Sequence, residues 1–91
     1  MRYAARTDAN KEQIVSVFRA LRAAGAHVWI IGLPVDLLVG YNNETFLFEL
    51  KTDSKKKLTK LQLDFFEKWK GASLHRINGP EDALRIIGAI S

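Results

Sequence analysis

Cysteine is absent from these 91 residues, and histidine occurs only at His27 and His75. Without thiols there is no disulfide scaffold, no thiolate zinc site and no cysteine nucleophile. The two histidines have no partner at ligand spacing, which argues against an imidazole metal site. The sequence also lacks any run of 18 or more apolar residues, so no stretch reads as a transmembrane helix and no membrane partner is expected. Its first residues, Met1-Arg2-Tyr3-Ala4-Ala5-Arg6-Thr7-Asp8, contain no apolar centre of the kind a signal peptide needs. A cytoplasmic protein is the expectation. Proline is scarce, with only Pro34 and Pro80, and no repeat, low-complexity tract or linker divides the chain.

What is present has a globular make-up. Hydrophobic residues account for 47% and charged residues for 26%, as in one folded domain spanning residues 1–91. A chain this short buries only about 60–65% of its unfolded surface, enough for one core. Fourteen Lys and Arg against ten Asp and Glu leave a net charge of +4, a bias towards polyanions. The excess is concentrated between Lys51 and Lys60, where KTDSKKKLTK holds five lysines against Asp53 alone. Taken alone, such a run is more often a solvated loop than a phosphate site.

Periodicity predicts the order αβββαβα, a small mixed sheet flanked by helices. Ile14, Val17, Phe18 and Leu21 form one apolar stripe on a first helix that starts near Thr7 or Asp8 and stops at Gly25. Asn10 falls on the same stripe. His27 to Ile31 reads as a strand, followed by strands over Val35 to Gly40 and Thr45 to Lys51. Asn42-Asn43 between them suits a two-residue hairpin turn, because asparagine tolerates positive φ. Thr59-x-x-Gln62 has capping-box spacing and opens a helix expected to carry Leu61, Phe65, Phe66 and Trp69 inward. Ser73 to Ile77 is a short strand. Gly79-Pro80-Glu81-Asp82 opens the last helix, with proline in its first turn and acids at its positive end. Trp29, Phe65, Phe66 and Trp69 are expected in the core, and the two histidines at the surface or hydrogen-bonded.

The hairpin sets a register that simple counting can follow. With Asn42 and Asn43 as the turn, facing residues sum to 85, so Asp36 faces Glu49. Alternation puts both carboxylates on one face, with Lys51 two residues further along. Facing Cβ atoms lie roughly 4.5–5.5 Å apart, where like charges destabilise the pair. Three arrangements offset that repulsion: a raised carboxyl pKa, neutralisation by Lys51, or a divalent cation between the acids. Oxygen-only ligands favour a hard ion such as Mg²⁺ or Mn²⁺. The competing reading is a salt-bridge cluster on a solvated face. Against it, Leu37-Leu38-Val39 and Phe46-Leu47-Phe48 make both strands apolar on both faces, as in strands covered on two sides. Acids in such strands are costly and mark a site.

The string Gly32-Leu33-Pro34-Val35-Asp36-Leu37-Leu38-Val39-Gly40, followed by Glu49-Leu50-Lys51, resembles the PD-(D/E)XK nuclease motif. It is most similar to the short, phage-type VRR-NUC domains. The likeness extends to Asp8-Ala9-Asn10 with Ile14-Val15, to Lys57-Leu58-Thr59 with Gln62, and to Ala83-Leu84-Arg85-Ile86-Ile87-Gly88, covering nearly the whole chain. Two places depart from the family pattern. Val35 separates Pro34 from Asp36, which changes how the chain enters the strand and suggests a bulge. In the first helix, where many relatives offer a glutamate, Gln13 is the aligned residue and Glu12 the charged one.

The resemblance implies a restriction-endonuclease-like fold and Mg²⁺-dependent cleavage of DNA, with Mn²⁺ able to substitute. Asp36, Glu49 and the backbone carbonyl of Leu50 would hold the ion. Lys51 and Gln62 complete the catalytic set. Lys55, Lys56, Lys57 and Lys60 become phosphate contacts, with Arg76 ranked behind them, and Asn10 and Gln13 are first-helix contacts. A structure-selective endonuclease follows, a Holliday-junction resolvase acting on branched or double-stranded DNA as a homodimer, phage or prophage encoded. The alternatives are a nuclease for flaps or other branched DNA, a non-catalytic DNA-binding module keeping the fold, and a purely structural acid–lysine cluster.

Overall fold

A computed structural model describes residues 11–51 and 58–91. Its elements are α1 (Lys11–Ala23), β1 (His27–Ile30), β2 (Leu37–Tyr41), β3 (Glu44–Leu50), α2 (Lys60–Lys68), β4 (Ser73–Ile77) and α3 (Pro80–Ile87). The order is the one the periodicity predicts. The expected first-helix start at Thr7 or Asp8 lies outside the described residues.

Local chemistry accounts for most of the boundaries. At the end of α1 the Gly25 amide donates to the Arg22 carbonyl and the Ala26 amide to that of Leu21, both at 3.0 Å. This paired return of bonds needs a left-handed residue, and Gly25 supplies it at φ +101°. Thr59 caps α2 as its spacing predicts: the hydroxyl accepts from the Gln62 amide, and the Gln62 side chain accepts from the Thr59 amide. Asn42 and Asn43 turn the β2–β3 hairpin with φ of +54° and +66°. Positive φ at both central residues matches the twist of the flanking strands.

The four strands lie in the order β1-β2-β3-β4. β1–β2 and β2–β3 are antiparallel, whereas β3–β4 is parallel. Parallel neighbours need a crossover, and α2 provides it. In the hairpin Tyr41 faces Glu44 and Leu37 faces Phe48, so the register expected from counting holds along the ladder.

Alternation gives the sheet two different faces. Val28, Leu37, Val39, Phe46, Phe48, Leu50 and Ile77 form the core with Ile14, Val17 and Leu21 of α1 and Ala83 and Ile87 of α3. The other face carries the alternate residues of β2, β3 and β4, and α2 reaches it through Gln62. Every β3 residue from Phe46 to Leu50 is buried, as expected of a strand covered on two sides; in β2 Leu38 is half-buried.

Two expectations about aromatic and apolar residues need correction. Trp29 is 61% exposed rather than in the core: β1 is an edge strand whose inward position goes to Val28, so its neighbour points away. In α2, Leu61 is 82% exposed and Trp69 is exposed as well. The inward position of the first turn is taken by Gln62, which rotates Leu61 outward. Trp69 lies past the helix end, where its indole N–H donates to the Ala72 carbonyl at 2.7 Å. Phe65 and Phe66 are half-buried. Of the histidines, His27 is exposed and His75 half-buried against the Phe48 ring. No helix among the described residues is long and apolar enough to cross a membrane.

Candidate functional site

The described residues bury three polar or charged side chains, Asp36, Glu49 and Gln62, with exposures of 0%, 3% and 5%. All three belong to one cluster where β2 begins and β3 ends. Burial of two carboxylates is costly unless donors or a cation meet them.

Asp36 stands one residue before β2. It adjoins the Leu37–Phe48 pair that ends the β2–β3 ladder; continuing that register one step would set it opposite Glu49, on the face away from the core. The Leu50 amide donates to Asp36 Oδ2 at 2.8 Å. In an unbroken ladder that amide would reach the carbonyl of residue 35, so the carboxylate has replaced a rung. This explains why β2 starts at Leu37 and not at Val35. An extended residue presents its N–H and C=O to the same side, so the Leu50 carbonyl faces β2 and Asp36 too.

Val35 is fully buried, and the expected irregularity falls on the neighbouring strand. The Ile31 and Gly32 amides converge on the Asp36 carbonyl at 2.9 and 3.3 Å, two residues against one, the pattern of a β-bulge. Gly32 accommodates it with φ +80°. The bulge thus anchors the main chain of Asp36 while Leu50 anchors its side chain.

Glu49 is held from the other direction. Gln62 Nε2 donates to Glu49 Oε2 at 3.2 Å and to the Pro34 carbonyl at 3.4 Å. Its Oε1 accepts from the Thr59 amide at 3.2 Å. The cap of α2 therefore also orients the amide that grips Glu49, and a helix terminus, a loop and two strands meet at one side chain. The Pro34 carbonyl is a participant that side-chain patterns in a sequence cannot reveal, because every residue has one.

The acids repel. At about 5 Å, two unit charges cost ~3 kcal/mol at an effective dielectric of 20. A hydrogen bond to a charged group returns about 1.5–3 kcal/mol, so donors such as the Leu50 amide and Gln62 Nε2 offset much of that cost. A cation would offset more. Two carboxylates and a backbone carbonyl, without sulfur or nitrogen, suit a hard ion. Mg²⁺ characteristically binds through one or two carboxylates and leaves its remaining positions to water and substrate phosphate. Among the described residues no group of three or more His, Cys, Asp or Glu side chains that could hold a metal ion comes together.

The remaining candidates are placed unequally. Lys51 is exposed, and its amide donates to the Ile77 carbonyl at 2.8 Å, continuing β3 alongside β4. Alternation keeps its side chain on the Glu49 face. Lys60 is exposed at the first turn of α2. Gln13 and Glu12 are exposed on α1, whose buried stripe packs against the core face, so neither joins the buried cluster. Asn10, Lys55, Lys56 and Lys57 lie outside the described residues. Compared with known protein families, with curated proteins and with solved structures, the chain matches none.

Proposed function

We propose that this chain is a metal-dependent, structure-selective DNA endonuclease with a restriction-endonuclease-like fold, acting as a Holliday-junction resolvase in homodimeric form. One observation carries the reading: the buried polar side chains of the described residues are Asp36, Glu49 and Gln62 together, at the positions of the D…ExK and Thr-x-x-Gln patterns. A cluster with a purely structural purpose would be cheaper to replace by apolar residues. The net charge of +4 adds a general attraction to DNA.

Asp36, Glu49 and the Leu50 carbonyl would hold Mg²⁺, or Mn²⁺ in its place. Bound there, such an ion would supply polarisation of a phosphodiester and a lowered pKa for a coordinated water. Leu50 and Gln62 fix the two carboxylates before substrate arrives, so little reorganisation is needed in the transition state. Lys51 is the exposed cation nearest along β3; it orients the attacking water or offsets charge developing on the phosphate. Lys60 and the lysines at 55, 56 and 57 contact flanking phosphates, which position a duplex without reading its sequence. One short domain has one such site, so paired cuts across a junction require two copies.

The test is cleavage of a panel of branched DNAs in millimolar Mg²⁺. The wild type is expected to cut four-way junctions in preference to flaps and linear duplex. Asp36→Ala is expected to abolish cutting while keeping its far-UV spectrum. Cleavage by that variant at the wild-type rate would sink the assignment, and preferential cutting of flaps would move the substrate to that class.

A further inference from the structure

β4 runs parallel to β3 with Glu49 paired to Arg76. Paired residues in a sheet project to the same face, so Arg76 stands beside Glu49 on the face that carries the acids. Asp36, Glu49 and Arg76 therefore form one row across three neighbouring strands, each step about 4.8 Å. Lys51 lies on the same face, one pleat further along β3.

A guanidinium next to a buried carboxylate commonly pairs with it. Here Glu49 Oε2 accepts from the neutral amide of Gln62. Arg76 is exposed, and the ion pairs among the described residues join Lys68 to Asp64 and Arg85 to Asp82 instead. The arginine thus borders the acidic pair as an exposed side chain. A divalent ion held by the acids would add positive charge beside Arg76 and Lys51, a condition for drawing in an anion.

We infer that Arg76 contacts a phosphate of the DNA backbone on the β4 side of the acids, a role that rests on the nuclease reading above. The planar fork of a guanidinium meets two phosphate oxygens at once, which an ammonium cannot do. Asp36 and Glu49 bound the phosphate on one side and Arg76 closes the other. Arg76 is then a substrate-binding residue, distinct from Lys51, which follows Glu49 along its own strand. The rival explanation is that an arginine on an edge strand only discourages edge-to-edge pairing. That role predicts no effect on DNA.

Two measurements on Arg76→Gln and Arg76→Lys separate these. In Mg²⁺, junction cleavage by Arg76→Gln is expected to show KM raised roughly tenfold or more, with kcat changed far less, and the lysine variant to recover only part. In Ca²⁺, the salt dependence of junction binding by fluorescence anisotropy is expected to fall in slope by about one. Both variants should melt with the wild type, the side chain being exposed. Wild-type KM and an unchanged salt slope, beside an inactive Asp36→Ala, would overturn the role of Arg76 and leave the nuclease standing. A wild type that cuts no DNA would overturn both.

Discussion

Asp36 and Gln62 each carry more than their positions in the chain require. Asp36 has its carbonyl pinned by the Ile31 and Gly32 amides and its carboxylate pinned by Leu50. Gln62 spends its amide on Thr59, Pro34 and Glu49. Such constraint suits a residue whose orientation matters, and it makes a near-isosteric change informative. Asp36→Asn keeps an oxygen for the Leu50 amide but removes a charge from the acid pair. The expected result is a metal-free melting temperature no lower than the wild type and a loss of stabilisation by Mn²⁺. A tenfold excess of metal over Kd contributes ~1.4 kcal/mol, equivalent to roughly 5–10 °C for a domain of this size. A wild type unmoved by millimolar Mn²⁺, or a variant shifted equally, would remove the cation from the pair.

α2 is the element on which the site depends. Its crossover position sets Gln62 over Glu49, and its capping box fixes where the helix begins. Thr59→Ala removes one side of that box. A stability loss of about 1 kcal/mol follows from the cap alone, measurable by urea unfolding. Because the same box orients Gln62, cleavage should fall as well, by more than the small unfolded fraction explains. A stability loss with unchanged kcat would show the cap to be independent of the acids. The hairpin, by contrast, was legible residue by residue. Asn42-Asn43 announced the turn, and counting outward from it gave every observed pair to Leu37 and Phe48.

The whole molecule divides its labour between sheet faces. α1 and α3 close one face with the apolar core, which leaves the opposite face to hold acids, Lys51 and Arg76 around the start of α2. On the proposed resolvase reading, paired cuts across a junction call for two copies of the site. The expectation is a particle of twice the 10.3 kDa chain mass by sedimentation equilibrium, with one junction bound per pair of chains. A monomer at all concentrations, bound singly to DNA, would instead favour a nuclease making one cut at a time.

The sequence by itself determined what depends on near neighbours: the order of helices and strands, the glycine stop of α1, the threonine cap of α2, the turn and the hairpin register from Tyr41–Glu44 to Leu37–Phe48. These follow from periodicity, capping and turn geometry, all set within a few residues. Only the tertiary structure decided which strand became an edge, and hence that Trp29 faces solvent while Val28 is buried. It likewise decided that Leu61 turns outward, that the Leu50 amide meets a side chain, and that parallel pairing sets Arg76 beside Glu49. Those outcomes depend on contacts between segments far apart in the chain, where pattern carries no information about which surfaces will meet.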